Sequence, residues 1–185
     1  SKGRSQRVAA EASGLGLLAT ALLSGVALFT YVPSDPVLRL EPVGNAAGVV
    51  GATLAGGLVG ILGAGSVVVV VAAAWLGGRL ILGFGLPPVF SRFWVGVLAL
   101  TVSFACLPLV LHDLAPGRVL DLGGGVLGAS LVEYERLLLR NWGALIVNGF
   151  LLSVGLLSAV GISTGRALFA VGATAVVLRD LVVRS

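Results

Sequence analysis

The sequence offers one histidine, one cysteine and eight carboxylates with which to build an acid–base, thiol or metal site. His112 stands beside Asp113, and Cys106 lies in the uncharged run just before them. No Ser-His-Asp set, paired buried carboxylates or metal-ligand spacing can be assembled from so few groups. A single thiol in an apolar run reads as a small packing residue. The His-Asp pair reads as a solvated pair at the mouth of that run. ATP chemistry of the P-loop kind needs G-x-x-x-x-G-K-[ST], whereas Lys2 is the only lysine and no such stretch occurs. No catalytic, cofactor or metal site is therefore expected, and the residues that recur with a pattern are glycines. "GVVGATLA" at 48–55 and "GVLGASLV" at 125–132 share five of eight positions, 77 residues apart.

Composition says where those glycines must work. Hydrophobic residues make up 57% of the chain and charged residues 11%, with mean hydropathy +1.09. A soluble domain carries roughly 25% charged residues, so this chain reads as an all-α membrane protein. The 28 glycines fit helices that must approach closely without a water-driven force. The chain starts at Ser1 and has no Met, which suggests a piece of a longer protein. The first apolar stretch ends in Tyr-Val-Pro, without a small-x-small cleavage site, and reads as an uncleaved span.

About 20 apolar residues cross a ~30 Å hydrocarbon core. Spans are expected at about 12–32, 58–77, 93–111 and 142–162. The uncharged run from Ala46 to Gly78 is too long for one crossing, so 46–57 is read as a glycine-rich outer segment before span two. Residues 1–11 form a cytoplasmic N-terminus, and 166–185 an amphipathic segment on the membrane surface. The latter has only 12 uncharged residues between Arg166 and Arg179, roughly 18 Å of helix, and a fifth crossing there is the alternative. With both termini cytoplasmic, eight basic residues face inward and four (Arg39, Arg118, Arg136, Arg140) outward, as the positive-inside rule favours. Trp75 and Trp94 then fall near the inner interface, Tyr31 and Trp142 near the outer one.

Each octet follows an outward span and an acidic loop and precedes a returning span, so two repeated hairpins are expected. Small residues at i, i+3 and i+4 (Gly48, Gly51, Ala52; Gly125, Gly128, Ala129) form one narrow face where another backbone can lie close. A second stripe, Gly56, Gly60 and Ala64, runs into span two. Pro33, Asp35 and Pro36 make a tight turn in which the Asp caps backbone N–H groups. Partner recognition by Asp35 is the alternative. Asn148, an amide within the fourth span, is expected to hydrogen-bond across a helix pair or an oligomer contact. Glu133, Glu135, Arg136 and Arg140 form weak pairs on an outer helix.

"TYVPSDP" (30–36), "NAAGVVGATLAGGLVGILGAG" (45–65) and "GGGVLGASL" (123–131), in this order, resemble the N-terminal four-span membrane domain of the FtsK/SpoIIIE family of bacterial DNA translocases. The resemblance covers about 11–165, and its motif positions here are Pro33, Asp35, Pro36, Asn45, Gly48, Gly51 and Ala52. It implies a membrane anchor in the bacterial inner membrane at the division septum, acting in cell division and chromosome partition. It also implies a hexameric assembly, contacts with other cell-division membrane proteins, and no nucleic-acid contact by this portion. ATP and magnesium belong by this resemblance to a motor domain that this sequence lacks. A small transporter or channel built from the two hairpins is the competing expectation. The absence of any Asp, Glu, Lys, Arg or His from the four expected spans weighs against it.

Overall fold

The computed structural model describes residues 2–36, 42–88, 91–114 and 122–160. The expected surface segment 166–185 and the outer-loop residues Arg39, Glu41, Arg118 and Asp121 lie outside these. Among the described residues every regular element is a helix: α1 (Lys2–Phe29), α2 (Gly48–Leu62), α3 (Gly65–Ile81), α4 (Arg92–Leu114) and α5 (Gly125–Val160). Long uncharged runs favour this, because in hydrocarbon each backbone N–H and C=O must be satisfied within its own segment. Hydroxyls within the helices follow the same rule. Thr20 Oγ donates to the Gly16 carbonyl (2.9 Å), Thr101 Oγ to Val97 (2.8 Å) and Ser153 Oγ to Gly149 (2.8 Å), each bond one turn back along its own helix.

Three helices are long and apolar enough to cross a membrane, and α2 with α3 passes the same length and hydropathy test only as a bent pair, the geometry of a broken span or a re-entrant loop. The chain turns by 118° between α2 and α3. The break lies at Gly63–Ala64, not after residue 57 as the sequence suggested. Gly63 takes φ 54° and ψ −133°, a conformation nearly reserved for glycine. Hydropathy cannot locate such a break, since apolar residues run without interruption through it.

The fourth expected span, about 142–162, is preceded by a further helical arm. α5 holds 36 residues, about 54 Å if straight, yet it is divided at Arg140, whose φ is 56° and ψ −177°. Glu135 and Asn148, 13 positions apart, would be separated by about 20 Å along a straight helix. Instead Asn148 Nδ2 donates to Glu135 Oε2 at 2.6 Å. The arm 125–139 therefore folds back on the arm 141–160. Positive φ angles recur at the octet spacing: Gly48 and Gly125 have φ 65° and 62°, and Gly63 and Arg140, again 77 apart, have φ 54° and 56°.

α1 packs along α3, and α4 along α5. Glycine sets the closest approach in both. A Cβ on Gly14 would meet the Gly77 carbonyl oxygen at 2.9 Å, and one on Gly77 would meet that of Gly14 at 2.9 Å. In the other pair a Cβ on Gly96 would lie 2.7 Å from the Ala159 nitrogen, and one on Gly155 would lie 3.0 Å from the Leu100 nitrogen. The buried cluster of Cys106, Val110, Val132 and Ala144 fills the space between α4 and the two arms of α5. Cys106 thus packs as a small apolar residue.

Candidate functional site

Several of the residues singled out by the sequence lie at two junctions, one between α1 and α2 and one where the α2–α3 break meets the start of α5. At the first junction Asp35 and Asn45 tie the end of α1 to the start of α2. Asp35 Oδ1 accepts from the Gly44 N–H and Oδ2 from the Asn45 N–H, both at 2.9 Å. Asn45 is buried, with 4% of its surface exposed. Its Nδ2 donates to the Ala27 carbonyl (2.8 Å) and the Thr30 carbonyl (3.2 Å), while its Oδ1 accepts from the Ala47 N–H (3.0 Å). One amide thus satisfies orphan carbonyls at the C-terminus of α1 and an orphan donor at the N-terminus of α2. Thr30 completes the ring, its hydroxyl donating to Val26 O (2.9 Å) and accepting from the Ala46 N–H (3.1 Å).

Gly51 fits into this ring. A Cβ there would collide with Ala47 Cβ and lie 2.6 Å from Asn45 Oδ1 and 3.3 Å from Ala27 Cβ. Ala52 beside it is buried. Pro33 is exposed and Pro36 half-buried, and the Asp35 N–H donates to the Val32 carbonyl at 3.0 Å, so the prolines bracket a hydrogen-bonded turn. Both carboxylate oxygens of Asp35 are engaged within the chain.

The second junction is made almost wholly of main chain. A Cβ on Gly63 would strike the Gly123 carbonyl oxygen and the Gly124 backbone. One on Gly125 would lie 2.5 Å from the Gly63 nitrogen and 2.6 Å from the Ile61 carbonyl. The Ala64 N–H donates to the Gly123 carbonyl at 2.9 Å, and Ser66 Oγ donates to the Gly63 carbonyl at 2.6 Å. Freed backbone groups at the α2–α3 break thus find partners. Gly128 lies on the Ala105 carbonyl of α4, with no room for a Cβ.

Not every small residue lies against a neighbour. Gly48 and Gly60 have nothing within 4 Å of an added Cβ; Gly60 and Ala129 are exposed, and Gly56 is half-buried. Within the stripe Gly56–Gly60–Ala64, Gly60 thus faces open space in one copy of the chain, whereas Ala64 is buried. Further helix contacts fall to Gly14, Gly77, Gly96 and Gly155, which lie outside the octets and the stripe.

Asn148 is fully buried. Its Nδ2 also donates to the Ala144 carbonyl (2.9 Å), and its own carbonyl accepts from Ser103 Oγ of α4 (2.8 Å). Arg136 Nη2 donates to the Leu109 carbonyl at 3.1 Å. Asn148 therefore pairs with the outer arm of its own helix and, through its backbone, with α4. Sequence reading placed Glu135 on an exposed outer face because it could not foresee that the helix doubles back. His112 is exposed at the end of α4. Among the described residues no three His, Cys, Asp or Glu side chains gather where a metal could bind.

The chain finds no match among curated proteins or solved structures. A family model described as the 4TM region of DNA translocase FtsK/SpoIIIE matches residues 6–172, a stretch that takes in both junctions, α2 to α5, and α1 apart from its first four residues. The chain belongs to the family of membrane regions of FtsK/SpoIIIE DNA translocases.

Proposed function

We propose that this chain is the membrane-anchoring and division-site interaction domain of a DNA translocase, tethering an ATP-driven DNA pump at the septum. The observation that carries the reading is the family match over 6–172, which covers helices long and apolar enough to cross a bilayer. Both termini lie in the cytoplasm in this reading, which the Lys/Arg distribution supports. ATP, magnesium and DNA are handled by a motor outside this sequence. The anchor assembles with copies of itself, as a hexamer by family resemblance, and meets other division proteins through its outer face.

The two hairpins derive in this reading from one duplicated unit. Left-handed backbone at 48 and 125 and at 63 and 140 supports this, as do the glycine approaches Gly14–Gly77 and Gly96–Gly155 at equivalent ends of each hairpin. The rigid junctions suit an anchor that must present a fixed outer face. A fluorescent fusion of this domain, expressed without the motor, is expected to concentrate at the division site. An even distribution around the envelope would overturn the septal role while leaving the membrane placement intact.

A further inference from the structure

Where the two hairpins meet, α3, α4 and α5 leave a groove of about 340 Å³, lined by Val67, Val71, Trp75, Phe93, Val97 and Leu156 among others. Its lining is hydrocarbon and aromatic throughout, so in a bilayer a lipid chain fills it more favourably than water. One end is built differently. Trp75 and Phe93 stack there at 4.4 Å and 19°, and the Arg79 guanidinium lies 4.8 Å from the Trp75 ring centre. Arg79 is held in place by bonds from Nε to the Gly85 carbonyl and from Nη2 to the Phe84 carbonyl, both 3.3 Å. These engage two of the five N–H groups a guanidinium carries. Arg92, exposed, immediately precedes Phe93. At the same end of the bundle the carboxylate of Glu11 is paired with Arg7 at 3.0 Å, so it does not offset Arg79.

We propose that this groove is a binding site for one anionic phospholipid, an acyl chain lying along Val67–Val71–Trp75 and the headgroup between Arg79 and Arg92. Aromatic rings at the interface with a cation beside them suit the region where chain meets phosphate, and basic pockets between transmembrane helices select anionic headgroups. The site requires the bilayer placement and nothing about the septum.

Native mass spectrometry of the purified protein titrated with phosphatidylglycerol and, separately, phosphatidylethanolamine tests it. The anionic lipid is expected to be retained several-fold more, about fivefold for each arginine at ~1 kcal/mol apiece. The preference is expected to collapse in R79Q/R92Q and to survive largely in R79K/R92K, which keeps the charge. In a W94F/W142F background, phosphatidylglycerol with brominated chains should quench Trp75 fluorescence, and V71W should weaken retention of both lipids. Equal retention of the two lipids, a preference unchanged in R79Q/R92Q, or unquenched Trp75 would each overturn the site.

Discussion

Asn45 does more than any other side chain at the first junction, because it alone reaches both helix ends. Asn45→Ala removes two bonds to carbonyls and one from a backbone N–H in a site with 4% exposure. A loss of about 1–3 kcal/mol is expected from the groups left buried without partners, read as a fall in the thermal midpoint of helical circular dichroism in detergent. Asp35→Ala should cost less, since the Gly44 N–H is exposed and finds water. A second comparison separates the glycines. Gly51→Ala is expected to destabilise, having Ala47 and Asn45 in its way, whereas Gly60→Ala meets open space and should be neutral or stabilising by up to about 1 kcal/mol through helix propensity. If Gly60→Leu lowers the oligomer mass in light scattering without lowering the melting midpoint, the exposed stripe serves contacts between copies. The sequence disclosed the Asp-Pro turn and the importance of Gly51, because short-range turn chemistry is local. It did not disclose that Asn45 reaches back 18 positions to Ala27, a contact that exists only once α1 and α2 are placed.

The two breaks share a positive φ and differ in their occupant, so the helices answer substitution in opposite directions. Gly63→Ala puts a methyl into the 123–124 main chain and should destabilise strongly, separating α2 from α3. Arg140, at φ 56° and ψ −177°, carries a side chain in a region nearly confined to glycine, which costs of order 1–3 kcal/mol. Arg140→Gly is therefore expected to raise the melting midpoint, and a fall would mean that the guanidinium holds the bend by contacts that outweigh the strain. That the elements are long apolar helices was legible from uncharged run lengths. The break positions were not: at Gly63 the residue is one glycine among many, and at Arg140 the residue type argues against the conformation it adopts. Asn148 was recognised as a helix-pairing amide, yet its partner Glu135 was hidden by the same unseen bend.

Across the whole molecule, Arg7, Arg79 and Arg92 belong to one end of the bundle, while Asp35, Asn45 and Arg136 belong to the other. Pairs such as Gly14–Gly77 and Trp75–Phe93 fix that arrangement. Ser34→Cys and Leu86→Cys place exposed thiols at opposite ends, and native Cys106 is buried enough to stay silent. In intact cells a membrane-impermeant maleimide is expected to label Ser34→Cys and spare Leu86→Cys; the reverse pattern would invert the proposed orientation. The overall bundle was readable from hydropathy, whereas the seam between its halves was not, since Gly63 and Gly123–Gly125 meet through backbone atoms that no side-chain pattern encodes. That seam carries its own rule for inherited damage. A joint of bare main chain has nothing to trim, so truncating substitutions elsewhere in the protein can wear its contacts down gradually, while here every replacement is an insertion of matter. Variants at Gly63, Gly124 and Gly125, where an added Cβ has no room, should divide sharply, without a graded series between tolerance and failure.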